Sequence, residues 1–193
     1  MGLTLVTPPA AEPVTLDEAK LHCRVDADIT ADDALLTSLI VAAREQAEHE
    51  TGRAFVTQTW RLTLDRFPAG AIVLPRAPLA SVSSIAYVDA DGDMQTLDAG
   101  AYQVITDRLL GEVVPVYGGQ WPATRCTENA VTVEFVAGYG NAAGVPQAIK
   151  QWILLAVGGW YGQREAIAAG QVAELPRAYW HALLDKYRIQ RVV

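Results

Sequence analysis

The spacing of apolar residues changes twice along the chain, from a helical period to a strand period and back. In the first part, apolar residues recur at intervals of three and four, which predicts an amphipathic helix with one buried stripe. The stripe consists of Leu35, Leu36, Leu39, Ile40, Ala43 and Ala47. Gly52 follows it and is the type of residue that ends a helix in a left-handed conformation.

A shorter helix is predicted before this one, because the segment VTLDEAK contains a capping motif. The hydroxyl of Thr15 can accept a hydrogen bond from the amide of Glu18, whose carboxylate can reach back to the amide of Thr15. The pair predicts a helix over residues 16–23. Thr30 and Asp33 repeat this spacing and predict a second cap at the start of the longer helix.

From Ala54 onward the period becomes two, which is typical of strands with one buried face. In FVTQTWRLTLDRF, Trp60, Leu62 and Leu64 alternate with polar residues. Further short strands are predicted at residues 72–74, 82–88, 94–97, 102–106, 112–117 and 131–136. Six or seven short strands separated by turn residues indicate an antiparallel β subdomain.

Helical spacing returns after a glycine-rich hinge near residue 140. Pro146 suits the first turn of a helix, and residues 147–161 are apolar on nearly every side, which predicts a helix buried by several neighbours. A Gly/Ala-rich loop is predicted at residues 162–175. A last helix is predicted from Pro176.

This order predicts an α+β fold: mainly an α-helical bundle core with an inserted antiparallel β subdomain. The helical core would comprise residues 15–53 and 141–188, and the β subdomain residues 54–140. An N-terminal extended arm is predicted for residues 1–14 and a C-terminal arm for residues 189–193.

Charge and composition favour a protein partner over nucleic acid. The formal net charge is −7, with ten acids and four bases in residues 1–53 but three acids and five bases in residues 164–193. Because a DNA-groove binder needs a basic footprint, groove binding is disfavoured. Charged residues make up only 19% of the chain, which favours oligomerisation. No signal peptide is recognisable, and the most apolar stretch, residues 148–159, is too short for a membrane span.

Motifs that carry chemistry are missing from the sequence. The histidines, His22, His49 and His181, are isolated, so neither a zinc site nor a catalytic triad is predicted. Cys23 and Cys126 are far apart and are predicted to be free thiols. The glycine-rich GYGNAAG lacks the lysine of a phosphate-binding loop. The sequence therefore predicts no enzyme, no cofactor and no metal.

The acidic run DADGD permits two interpretations, a calcium loop and a hairpin turn. In a calcium-binding EF-hand loop the glycine follows the third acid and a glutamate stands at position twelve. Here the glycine precedes the third acid, and position twelve is Gly100. A hairpin of two strands needs a positive φ at its turn, which the Asp91-Gly92 pair supplies, so the hairpin is favoured.

Large aromatic residues concentrate near the C-terminus, where a shared core and a contact between subunits are both possible. A basic and apolar tail follows them, and residues 186–193 form a candidate arm. The candidate interface residues are Trp152, Trp160, Tyr161, Tyr179, Trp180, Lys186, Arg188 and Arg191.

Several segments together resemble the gp6-like head–tail connector family of tailed phages. They are VTLDEAKLHCRVD, DDALLTSLIVAAREQAEHETGRAFVTQTWRLTLDRFP, VPQAIKQWILLAVGGWYGQRE and LPRAYWHALLDKYR. The resemblance covers about residues 14–190 and is strongest to the branch with a β insertion, the phiE125 gp8-like branch, which also occurs in prophages and gene transfer agents.

The resemblance implies a structural adaptor of the virion, without enzymatic activity, that is assembled in the bacterial cytoplasm. It implies a homo-oligomeric ring, usually a dodecamer, that contacts the portal protein on one side and a tail-side stopper or terminator protein on the other. DNA would pass through the lumen, and an acidic lumen would keep it mobile. The acidic helix around residues 32–50 is one candidate lining element, and an outer solvated face is the alternative for it.

Two other functions stay open from the residues alone. One is another neck or tail-completion protein of the virion with a similar combination of helices and strands. The other, from a different class, is a small hydrolase or a carbohydrate-binding domain with helical flanks. A ring with a central hole would favour a connector, whereas a stable monomer with a deep pocket would favour the second class.

Overall fold

Two separate stretches of chain contribute to each of two structural units. The computed structural model describes residues 1–163 and 177–189, and of residues 177–179 it describes the backbone alone. The β unit consists of Met1–Ala10 and Thr57–Tyr139. The helical unit consists of Ala11–Val56 and the described residues from Gly140 onward. Because the chain contains both helices and antiparallel sheets, its α+β class is confirmed.

Four α-helices form the helical unit within the described residues. They are α1 (Leu16–Cys23), α2 (Asp33–Thr51), α3 (Gln147–Gly162) and α4 (Arg177–Asp185). The predicted capping box of α1 is confirmed: the Glu18 amide donates to the Thr15 hydroxyl over 3.2 Å, and the Thr15 amide donates to the Glu18 carboxylate over 2.7 Å. Gly52 ends α2 with a φ of 72°, as the sequence predicted.

The second predicted cap is wrong. Asp32 is the cap residue of α2, and it makes no side-chain capping bond. Its carboxylate instead accepts a hydrogen bond from the Tyr161 hydroxyl, over 2.6 Å. Asp33 pairs with Lys20, and Thr30 contributes only its carbonyl, which accepts from the Asp33 amide. A tertiary partner, Lys20, has therefore taken the Asp33 carboxylate that local spacing assigned to capping. The prediction for the proline before α3 is also wrong by one position, since Pro146 is the cap residue and not the first helical residue.

The core of the helical unit follows the predicted stripe of α2. Leu36, Ile40, Ala43 and Ala47 are buried, while Leu35 and Leu39 are partly exposed. They pack in a core whose other large members are Phe55, Ile149, Trp152, Ile153, Val157 and Leu184. Side chains of α3 supply much of this core, which accounts for the near-continuous apolar composition of that helix.

Eight strands form the β unit, all of them paired antiparallel, as predicted. They are β1 (Gly2–Thr7), β2 (Gln58–Leu64), β3 (Ile72–Val73), β4 (Leu79–Val88), β5 (Met94–Thr96), β6 (Tyr102–Ile105), β7 (Glu112–Pro115) and β8 (Val131–Ala137). One sheet has the order β1-β2-β8-β4-β5, and the other has the order β3-β7-β6.

The N-terminal residues form a strand where the sequence predicted an extended arm. In β1, Leu3 pairs with Leu62 and Leu5 pairs with Trp60, so the two leucines extend the apolar face of β2. Too few alternating residues precede the prolines of this segment for the period to be recognised. The alternation of β2 itself is confirmed, since Trp60 and Leu62 are buried and Arg61 is exposed.

Candidate subunit interface

The aromatic residues predicted to form an interface occupy different environments. Trp152 is fully buried in the helical unit, where its ring stacks on Trp180 at a centroid distance of 5.4 Å. Trp180 also lies against His181, at 4.5 Å between ring centroids. Because burial inside the helical unit leaves little surface for a partner, Trp152 is a core residue. The side chain of Tyr179 lies outside the described residues.

Trp160 and Tyr161 both lie in the last turn of α3, but their side chains have different environments. Tyr161 is anchored inside the helical unit by its hydrogen bond to Asp32. Trp160 retains 37% of its surface. A large indole left partly exposed is the type of side chain that anchors protein interfaces. Of the candidate tryptophans, Trp160 is therefore the one whose position leaves most surface for a partner.

The basic C-terminal segment begins against the helical unit of its own chain. The Arg188 guanidinium donates to Glu50 of α2 over 2.9 Å, and the Ile189 amide donates to the Thr51 carbonyl over 2.9 Å. Arg53 donates to the Tyr187 carbonyl over 2.6 Å. Residues 187–189 are thus fixed to the end of α2, so Arg188 already has a partner.

Lys186 is exposed, with its ammonium group 4.8 Å from the centre of the Tyr187 ring. Arg191, the last basic residue of the candidate arm, lies outside the described residues.

The acidic residues of α2 are largely neutralised within the helical unit. Asp33 pairs with Lys20 at 2.6 Å, and Glu48 pairs with Arg44 at 2.8 Å. Glu45 also pairs with Arg44, at 3.3 Å. At the far end of the helix, Glu50 binds Arg188, and the His181 imidazole lies 3.4 Å from the same carboxylate. The helix therefore presents much less negative charge to a partner than its sequence suggests.

A buried ion-pair network explains why these charges are placed here. Arg44 retains 5% of its surface and also donates to Glu12 over 2.8 Å. Burial alone would lower the pKa of the Arg44 guanidinium, but the nearby carboxylates of Glu48 and Glu12 raise it above its usual value. Glu48 in turn accepts a hydrogen bond from the Phe55 amide over 2.8 Å. The network ties the segment before α1, helix α2 and the segment after it together.

The α1–α2 loop carries exposed acidic residues. Asp26 and Asp28 are both exposed, as is Ile29. On α1 itself, Leu21 retains 81% of its surface. A helical projection predicts this exposure, because Leu21 is displaced from the stripe formed by Leu16, Ala19 and Cys23. This part of the helical unit combines negative charge with exposed apolar side chains.

The described residues hold no cluster of metal-ligating side chains. The DADGD segment forms the β4–β5 hairpin, in which the Asp89 carboxylate accepts from the amides of Asp91, Gly92 and Asp93. Gly92 has a φ of 103°, as the hairpin prediction required. A hydrogen bond from the Gln95 side chain, together with these amide bonds, lowers the pKa of Asp89. The carboxylate is thus engaged by the turn.

A surface cavity in the β unit offers no recognisable active site. It measures about 620 Å³ and is lined by Asp65, Arg66 and residues 124–128. The lining includes the exposed thiol of Cys126 but no histidine that could activate it. Among the helices of the described chain, none has the length and apolar character that crossing a membrane would require.

The chain is similar to one known protein family and to several solved structures. Residues 13–89 match the model of a family described as phage gp6-like head-tail connector protein. The structure titled neck of an empty gene transfer agent (GTA) particle, computed with C6 symmetry, is 28% identical, with a TM-score of 0.83. A chain from the virion of a native GTA particle is 27% identical, with a TM-score of 0.83. A chain from the neck of a native GTA particle, computed with C12 symmetry, is 26% identical, with a TM-score of 0.76. In each case, 100% of this chain and 98% of the other chain are covered.

No curated protein matched the sequence. The resemblance to the gp6-like head–tail connector family that the sequence predicted is confirmed by the family match. Over its whole length the chain also shares its fold with proteins of gene transfer agent particles.

Proposed function

We propose that this chain is a head–tail connector subunit, an adaptor that forms a ring between the portal and the tail of a phage or gene transfer agent. The observation that carries the proposal is the likeness to neck proteins over the entire chain, helical and β units included. The proposed role is structural, and the chain contributes binding surfaces to it.

Twelve copies are the ring size that the comparisons support. One similar structure was computed with C12 symmetry and another with C6 symmetry. A twelve-membered ring contains the sixfold axis as well, so both symmetries are compatible with twelve copies. In such a ring each subunit uses two different surfaces, one for each neighbour. We propose that helices α1–α4 pack as a bundle and form the core of the subunit, as the family resemblance implies.

Trp160 and Lys186 are the interface candidates that the described structure supports best. Both keep surface free in the helical unit, and neither serves the buried core. Lys186 precedes Arg191 in a segment whose bases complement an acidic partner surface. We propose that this segment contacts the portal and that tail-side stopper proteins bind elsewhere on the ring.

We propose the α1–α2 loop, and not α2, as the acidic element nearest the DNA. The carboxylates of α2 are paired within the subunit, whereas Asp26 and Asp28 are exposed. Repeated around a ring, exposed carboxylates would repel the phosphate backbone and keep DNA mobile in the lumen. Consistent with this role, the isolated protein should bind duplex DNA only weakly at physiological salt.

The proposal is tested by mixing the protein with the portal of the same particle and imaging the product by electron microscopy. We expect a second ring, coaxial with the portal. Trp160→Ala should reduce its occupancy, whereas Tyr117→Ala, which removes a fully exposed aromatic side chain of the β unit, should not. Absence of any complex with the portal at high protein concentration would contradict the adaptor role. A complex with isolated tails instead of portals would assign the chain to a different ring of the neck.

A further inference from the structure

The five-stranded sheet of the β unit has two open edges, β1 at one end and β5 at the other. A strand at a sheet edge presents backbone amides and carbonyls that have no partner in the sheet, and it can pair with another chain. Folded proteins usually blunt such edges with charged residues, prolines, bulges or very short strands. Whether these two edges are protected therefore indicates whether they serve as contact surfaces.

The β1 edge is almost unprotected. The sequence of β1, GLTLVT, contains neither a charge nor a proline, and all of its residues except Leu3 are exposed. Leu5 and Val6 both keep apolar surface at this edge. A register shift between Leu5 and Thr7 marks a bulge at Val6, so the regular ladder covers residues 2–5.

The β5 edge has similar properties and a similar length. Its residues, Met94, Gln95 and Thr96, are uncharged and exposed, and Met94 is among the most exposed large apolar side chains of the described chain. A four-residue regular edge and a three-residue edge therefore lie at opposite ends of the same sheet.

We infer that β1 of one subunit pairs with β5 of the next, so that the five-stranded sheets join into a continuous sheet around the ring. This inference rests on the proposed ring, and it names the contact that closes it. A ring needs two different surfaces per subunit that fit each other. Two edges of one sheet satisfy this requirement, whereas pairing of β1 with β1 would produce a two-fold dimer.

The sheet order also fixes the direction of the new pairing. All neighbouring strands are antiparallel, and the sheet contains five of them, so β1 and β5 run in the same direction. When the sheet of one subunit continues into the next, β5 and the neighbour's β1 are therefore parallel. A parallel ladder of three or four residues is short, so it sets the register of neighbouring subunits while other surfaces supply much of the buried area.

Cysteine cross-linking on assembled rings tests the junction. Neighbouring strands are about 4.8 Å apart, within the range that a disulfide bridges. In a Cys23→Ser, Cys126→Ser background, Gln95→Cys is combined in turn with Leu3→Cys, Thr4→Cys or Leu5→Cys, so that every register of the short ladder is sampled. After mild oxidation of portal-bound rings, at least one combination should give multimers that extend beyond the dimer.

The single variants are the matched controls, because a heterologous contact places two copies of the same strand far apart. Each cysteine alone should give no cross-linked product. Dimers from a single variant at β1 would overturn the inference in favour of a two-fold contact. Rings that are seen by microscopy but are not cross-linked by any combination would overturn it while leaving the adaptor role intact. Absence of rings on the portal would remove the proposed function and the inference together.

Discussion

The two units of the chain solve the problem of burial in different ways. The helical unit buries Lys20, Arg44 and Glu48 and compensates each with ion pairs or hydrogen bonds. The β unit buries the neutral side chain of Gln58 in an otherwise apolar core, and its described ion pairs, Arg61–Glu134 and Arg108–Glu112, involve exposed arginines. Each unit should therefore respond to a different type of substitution.

Buried ion pairs in the helical unit carry a desolvation cost. Removing charges from water costs several kcal/mol per ion, and good geometry is needed to offset that cost. Such a network tolerates loss of one member poorly, because its partner is left buried and unpaired. The β unit, which depends on apolar packing, should respond mainly to loss of side-chain volume.

The largest expected effect comes from breaking the network at its centre. Arg44→Met leaves Glu48 buried without its guanidinium and should destabilise the helical unit by about 3–5 kcal/mol. Urea unfolding, combined with hydrogen exchange of α2 and β2 peptides, measures the size and location of the loss. The matched control is Arg61→Met, because Arg61 retains 48% of its side-chain surface in an ion pair and should contribute at most about 1 kcal/mol. Equal losses from both variants would contradict the contrast between the units.

Creating a cavity in the core of the β unit by mutation should destabilise the protein by a similar or slightly smaller amount. Leu62 is completely buried on β2, and Leu62→Ala should cost about 2–5 kcal/mol because the sheet can only partly close the space. Hydrogen exchange should then accelerate first in β2 and β8, which are paired along their full lengths. Loss of protection in α2 before these strands would show that the two units do not respond independently.

Removing the α1 cap should have a smaller effect. Thr15→Ala removes the acceptor of the Glu18 amide and should cost about 1 kcal/mol. Thr30→Ala is the informative control, since sequence spacing predicts a cap there and the structure shows none. Thermal unfolding of both variants measures the two losses of stability. An equal loss from Thr30→Ala would contradict the observed start of α2.

The smallest expected effect is a pH dependence of the same cap. The hydrogen bond from the Thr15 amide lowers the pKa of Glu18 below its usual value of 4.5, against a smaller opposing effect of burial. A carboxyl group whose pKa is lowered by folding stabilises the protein at pH values above its pKa in the unfolded chain. This contribution is lost as the pH falls through the pKa that the group has in the folded chain. The stability of the natural chain should therefore decline more between pH 6 and about pH 3 than that of Glu18→Gln. Parallel declines in urea titrations would show that the bond does not favour the ionised form.

Local signals in the sequence were sufficient for several elements of the structure. The α1 capping box, the Gly52 helix end and the Asp91–Gly92 hairpin all depend on residues within a few positions of one another. The alternation of β2 likewise identified its buried face. Such features are predictable because short-range hydrogen bonds and backbone preferences determine them.

Tertiary structure decided the rest, because it depends on partners distant in sequence. The role of β1 became visible only through pairing with β2, more than fifty residues away. The same holds for the separation of Trp152, which the helical unit buries, from Trp160, which stays partly exposed on the same helix. No periodicity could show that Glu50 binds Arg188 or that Asp32 binds Tyr161. The sequence by itself determined most of the elements and the family resemblance, whereas only packing decided which charges are neutralised and which surfaces remain exposed.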